Sequence, residues 1–227
     1  MNKIRQQSIP LFILWMTTLA GMTNVCAIKI LHTPLTHHTG NLSQLSITFF
    51  ENPQHFLELI LVILAYCVGA FMSGRLSMHA HQPTQQQGYL LISCAILLIL
   101  LQWSQQISVS LYLISLLAGI QNTIMMPYKD MKIRITHMTG YLADLGQYMA
   151  HWSKGSHIAR DKAIFLFVSI LSFVMGGWMG YGLVTYTRTS LYILALLYIV
   201  AGKLLIHIAR RFKSCHPSLA MSGQEFV

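Results

Sequence analysis

The chain has 227 residues, of which 54% are hydrophobic and only 9% charged, and its mean hydropathy is +0.54. Soluble domains carry about 25% charged residues, so a soluble globular domain is excluded. The formal net charge of +9 would suit a nucleic-acid binder, but the basic residues lie between apolar runs, which makes the charge a topology signal and no nucleic acid is expected as a partner.

Six apolar runs follow one another at 10–28, 56–74, 88–103, 107–126, 163–182 and 190–208. A bilayer core of about 30 Å needs about 20 helical residues, and lipid offers the backbone no hydrogen-bond partners, so each run is expected to be a helix. The run 88–103 reaches that length only with its polar flanks, Gln102 and Gln105 among them. The first run, with Lys3 and Arg5 ahead of it and Val25-Cys26-Ala27 after it, also fits a signal peptide. With the N-terminus inside, twelve Lys and Arg fall on inner segments against Lys29 and Arg188 outside, and Lys203 lies within the last run. This positive-inside bias puts both termini in the cytoplasm, with anionic membrane lipids as partners.

The chain is a doubled unit. LAGMTN at 19–24 is answered by LAGIQN at 117–122, THHTGNL at 36–42 by THMTGYL at 136–142, and VGAFMSG at 68–74 by MGGWMGY at 175–181. The offsets are 98, 100 and 107, in the same order in both halves. Repeat 1 covers 10–106, repeat 2 covers 107–208, and 209–227 is a cytoplasmic tail, all within a single membrane domain. Three crossings per half is an odd number, so the second half enters from the opposite side. The fold class is therefore an all-α integral membrane protein, with six transmembrane helices as a 3+3 inverted-topology repeat and a short motif-bearing helix after the first span of each half. The first run matches the fourth, which cannot be a signal peptide, so the first is kept as a span.

The motif segments, 31–55 and 127–162, are long for connections, which typically run about 4–6 residues. Each Thr-Gly pair reads as a helix start, with Thr39 and Thr139 as N-caps and Gly40 and Gly140 leaving the first turn open. A half-helix beginning inside the membrane aims unpaired N–H groups and a partial positive charge at whatever sits there. The other reading is an amphipathic helix on each membrane surface. Polar amides lie inside apolar runs at Asn24, Gln121 and Asn122, either lining a path or bonding between helices. The candidate substrate-binding set is Asn24, Thr36, His37, Thr39, Gly40, Asn41, Gln121, Asn122, Thr136, His137, Thr139 and Gly140. His37 and His137 occupy equivalent positions and could relay protons. The second histidine, His38, is replaced in the copy by Met138 and receives less weight.

Gly69-xxx-Ser73 and Gly176-xxx-Gly180 are small-residue patterns that let helices approach closely. They are expected to pack the second and fifth spans on each other, within the chain or across a homodimer. The cysteines Cys26, Cys67, Cys94 and Cys215 are far apart and show no metal spacing. His79 and His81 form an HxH, but with His32 and His38 they find no carboxylate or cysteine cluster, so no metal and no cofactor is expected. No Ser/His/Asp set, HExxH or nucleotide-binding loop occurs, which points away from an enzyme and from ATP-driven transport by this chain.

LAGMTN, TGN-L, the GA-x-x-SG helix, LAGIQN and MTGYL together resemble the YoaK-like family of bacterial inner-membrane proteins, often described as permeases or as a domain of unknown function, over roughly residues 10–208. The resemblance implies a six-helix bacterial inner-membrane protein. An acidic residue is common in that family where Asn24 stands, and an aromatic one where His37 and His137 stand. The expected function is a small secondary transporter or permease with a small-molecule substrate bound between the two Thr-Gly segments. The alternative is a membrane scaffold or partner subunit whose motifs serve helix packing.

Overall fold

A computed structural model describes residues 3–31, 38–78, 83–187 and 189–215. The described residues are predominantly helical: α1 (Lys3–Leu31), α2 (His38–Glu51), α3 (Pro53–Leu76), α4 (Gln85–Trp103), α5 (Ile107–Thr123), α6 (Met138–Ser153), α7 (His157–Tyr186) and α8 (Ser190–Cys215). A single hairpin, β1 (Met125–Tyr128) and β2 (Met131–Arg134), separates α5 from α6. Five helices are long and apolar enough to cross a membrane, over Ser8–Ile30, Pro53–Leu76, Gln85–Trp103, His157–Tyr186 and Ser190–Arg211. These lengths make the chain membrane-like, and its exposed surface is rich in large apolar side chains such as Phe71, Phe167 and Trp178.

The run 88–103 reaches span length through its N-terminal polar flank. Gln85–Trp103 is long enough to span because Thr84 and Gln87 form a capping box that starts the helix in the polar flank. The run 107–126 is the one that falls short. Its helix has 17 residues, about 25 Å at 1.5 Å per residue, and its last apolar residues, Met125 and Met126, belong to a strand. The hairpin pairs Met125 with Arg134 and Tyr128 with Met131. Lys129 turns the chain with a φ of 50°.

Three helix pairs carry the packing: α1 on α7, α3 on α5 and α4 on α8. The glycines make this possible. A Cβ on Gly176 would lie 1.9 Å from the Thr18 carbonyl oxygen, and one on Gly69 would lie 2.1 Å from that of Leu116. From the other side, a Cβ on Gly21 would meet the Phe173 oxygen at 2.0 Å and one on Gly119 the Tyr66 oxygen at 2.1 Å. The small-residue faces of α3 and α7 are thus taken by α5 and α1. This corrects the expectation that the second and fifth spans use those faces on each other. Between α4 and α8, Gly88 and Gly202 face each other's carbonyl oxygens.

The two motif helices fold back along their successors, α2 on α3 and α6 on α7. Between α2 and α3 stands one residue, Asn52, whose side chain accepts from the His55 N–H at 3.2 Å and caps α3 ahead of Pro53. Between α6 and α7, Gly155 takes a φ of 90°, and Ser156 caps α7 through the Ala159 N–H. Each motif helix therefore runs antiparallel to the long helix after it, and its N-terminus lies about halfway along that helix.

Candidate functional site

The first turn of α2 is set against the middle of α3. The His38 ring lies 4.0 Å from the Tyr66 ring, centroid to centroid, at 55°. Asn41 is fully buried, with its amide nitrogen 3.5 Å from His38 Nδ1. Thr39 and Gly40 are exposed, and a Cβ on Gly40 would meet nothing within 4 Å. The helix already includes His38, so Thr39 sits inside the first turn and does not cap it. Thr36 and His37 lie outside the described residues, as do His32, His79 and His81.

From the other side, α5 brings Asn122 to the same tyrosine, where its amide donates to the Tyr66 hydroxyl. The Asn122 Oδ1 is buried without a hydrogen-bond partner. Amide oxygen and nitrogen are interchangeable by a flip, so with either assignment one edge of this amide is open. Arg134 follows by register, since it pairs with Met125, just beyond the end of α5. Its side chain is exposed. Arg134 makes no ion pair among the described residues, where the pairs between distant residues are Lys129–Asp161 at 2.8 Å and Lys162–Asp130 at 3.6 Å.

The second motif segment begins beside the middle of α1. The Thr17 hydroxyl, fully buried, approaches the Ile135 carbonyl at 3.5 Å, and Thr136 is buried next to it. His137 occupies the N-cap position of α6 with no side-chain capping bond, so Thr139, which is exposed, is not the cap expected from the sequence. The His137 ring folds over Gly140, where a Cβ would stand 2.0 Å from its Cδ2. Tyr141, equivalent to Asn41, is 3% exposed and its hydroxyl has no partner. Burial pushes that phenol up, and Asp144 adds to the shift.

Gln121 is satisfied on both ends. Its nitrogen donates to the Met16 carbonyl at 2.7 Å, and its oxygen accepts from the Tyr198 hydroxyl at 2.7 Å. Thr23 stands 3.0 Å from the same hydroxyl. All three side chains are fully buried, so this network ties α1, α5 and α8 together and leaves nothing for a ligand. Asn24 is buried at 5% exposure.

The surroundings of Tyr66 therefore gather His38, Asn41 and Asn122. Of the sequence-selected residues, Asn41 and Asn122 belong there, while Gln121 belongs to the packing network. His38 was set aside because its copy is Met138. Tyr66 sits in an apolar run with no polar neighbour to mark it. Among the described residues no three His, Cys, Asp or Glu side chains group together to hold a metal ion.

The sequence profile of a family described as "Protein of unknown function (DUF1275)" matches residues 12–205. The chain belongs to that family. The DUF1275 match covers all three helix pairs and both motif helices. No curated protein and no solved structure matches the chain.

Proposed function

We propose that the chain is a small secondary transporter, built as a 3+3 inverted repeat in the bacterial inner membrane with both termini cytoplasmic, and that its substrate binds where the two Thr-Gly segments converge. The sixth crossing is made by α5 together with the hairpin, a broken span of the sort tolerated where backbone lines protein or a cavity. The repeat is supported by the way the halves interlock. Under offsets of 98 and 107, α1 corresponds to α5 and α7 to α3. The Gly176–Thr18 and Gly21–Phe173 contacts then map onto Gly69–Leu116 and Gly119–Tyr66. Each half thus lends its first span to the other half's third element, an arrangement in which one half can rock against the other.

The observation that carries the reading is the meeting of the first turn of α2 with the middle of α3, where His38 lies on the Tyr66 ring and Asn122 of α5 donates to the Tyr66 hydroxyl. A half-helix start set against mid-span is an element from which inverted-repeat transporters form their sites. The scaffold reading draws on the Gln121–Tyr198–Thr23 network and the glycine crossings, which serve packing alone.

The test is solute exchange. Vesicles reconstituted with the full chain are loaded with a broad mixture of cytoplasmic metabolites, and mass spectrometry follows what crosses. Selective exchange with the natural chain, lost in Asn122→Ala, supports transport. No exchange of any solute by protein that remains folded and monodisperse supports the scaffold.

A further inference from the structure

We propose that the β1–β2 hairpin is a strap that holds α6 closed on α7 at the cytoplasmic end, with Lys162 as the positioning residue that ties strap and helix together; the inference rests on the transporter reading and names the element whose release opens the inner side. The hairpin tip is fastened to α7 by two ion pairs, Lys129 with Asp161 at 2.8 Å and Lys162 with Asp130 at 3.6 Å. Beside them Tyr128 stacks on Phe165, with ring centroids 3.8 Å apart. Lys162 also serves α6. Its ammonium stands over the Tyr148 ring, 5.3 Å from the centroid, and its side chain is only 12% exposed. Hairpin tip, motif helix and long helix thus share one largely buried cation.

The tip is able to come loose where the helix pairs are not. A two-stranded hairpin with four residues in each strand has little stability of its own. The side chains of Lys129, Asp130 and Asp161 are exposed, so solvent screens both ion pairs. The base is held differently. Met126 and Ile133 pair across the strands and are buried, as are Ile135 and Thr136 on the way into α6. Local opening therefore starts at the tip, and through Lys162 it reaches α6. The fastening is also one-sided. Under the offset of 107 that relates α7 to α3, Gln54 and His55 stand where Asp161 and Lys162 stand. Gln54 carries no charge, and His55 pairs with Glu58 of its own helix at 3.4 Å. Inverted-repeat transporters open their two ends in turn, and an ion-pair lock of this kind at one end sets which end is held shut.

Amide hydrogen exchange of the full chain in lipid nanodiscs tests the coupling without a substrate. Lys129→Gln should speed exchange of β1 and β2 about fivefold and leave α6 unchanged, because Asp161 keeps Arg160 at 3.4 Å and Lys162 still holds Tyr148. Lys162→Gln should speed β1, β2 and α6 together. Tyr148→Phe, which keeps the ring, should leave all three slow. Closure is read by a second measurement. With the native cysteines replaced by alanine, Thr139→Cys in the exposed first turn of α6 is labelled in inside-out membrane vesicles with a charged, membrane-impermeant maleimide. Labelling should rise about fivefold with Lys162→Gln and hold with Tyr148→Phe. If Lys162→Gln speeds the strands alone, or speeds α1 and α3 as well, Lys162 does not tie α6 to the strap and the proposal falls. If α6 loosens while labelling stays unchanged, the strap does not close the inner side and the proposal falls too. Should Lys162→Gln not fold, Tyr148→Leu is read for α6 and for labelling in its place. These outcomes leave the transporter reading standing; absence of solute exchange by the natural chain overturns that reading separately.

Discussion

Gly176 of α7 lies against the main chain of Thr18 in α1, so closely that a Cβ would come within 1.9 Å of the Thr18 carbonyl oxygen. The obstructing atom is backbone and cannot turn aside. Forcing even one methyl group into such a contact costs about 1–3 kcal/mol or more. Gly176→Ala should therefore lower the melting temperature of the chain in detergent, and Gly69→Ala, which would meet the Leu116 oxygen at 2.1 Å, should do so comparably. Gly182→Ala is the control, because its nearest neighbour is Tyr186 Cδ2 at 4.0 Å. Equal tolerance at all three positions would contradict the interlocked pairs.

The Tyr198 hydroxyl serves two partners at once, Gln121 and Thr23. Tyr198→Phe leaves the Gln121 oxygen buried without a donor. Hydrogen bonds between membrane helices are worth about 0.6 kcal/mol on average and at most about 1.7, so a loss near the upper end, about 1–2 kcal/mol, is expected for two bonds. Gln121→Leu should cost at least as much, since it also removes the bond to the Met16 carbonyl. Unfolding in mixed micelles measures both.

The hairpin tip is latched to the start of α7 by a crossed pair of salt bridges, Lys129–Asp161 and Lys162–Asp130, with Tyr128 stacked on Phe165 at 3.8 Å. The charged groups are largely exposed except for Lys162, so each pair contributes less than about 1 kcal/mol. Asp161→Asn should speed amide exchange of β1 and β2 while leaving α1 and α7 unchanged, and molar salt should mimic it. Restoration of slow exchange by Lys129→Asp combined with Asp161→Lys would confirm the latch.

Gly40 and Gly140 look equivalent in the sequence and differ in the structure. Only Gly140 is covered, by the ring of His137. Gly40→Ala meets open space, and replacing a helical glycine gains up to about 1 kcal/mol, so its melting temperature should hold or rise. Vesicle exchange should fall nonetheless, because the proposed substrate site includes the first turn of α2. Unchanged exchange in Gly40→Ala would remove this turn from the site.

The long helices were legible because an apolar run of span length admits little else in lipid. The paired phrases stand out in the sequence because they are polar. The end of α5 was not, since Met125 and Met126 are as apolar in a strand as in a helix. The alternation of Met131, Lys132, Ile133 and Arg134, with Met131 and Ile133 buried, was a strand signal too short to outweigh the run before it. Comparing copies rewards what the halves share. That favoured Thr39 and Thr139, both exposed, and discounted His38, which meets Tyr66. The helix starts were placed at the threonines because threonine caps well, yet His137 takes the N-cap position, where the buried Thr136 and the Ile135 carbonyl are anchored beside Thr17.

The most direct measurement is the separation of the two motif-helix starts. Nitroxide labels at Thr39→Cys and Thr139→Cys, both exposed positions, can be read by pulsed double-resonance spectroscopy in lipid nanodiscs. Half-helices that begin at mid-depth and converge on Tyr66 require a distance well below the thickness of the bilayer core, about 30 Å. A distance equal to or above that thickness would place the two starts at opposite membrane surfaces and contradict the shared site.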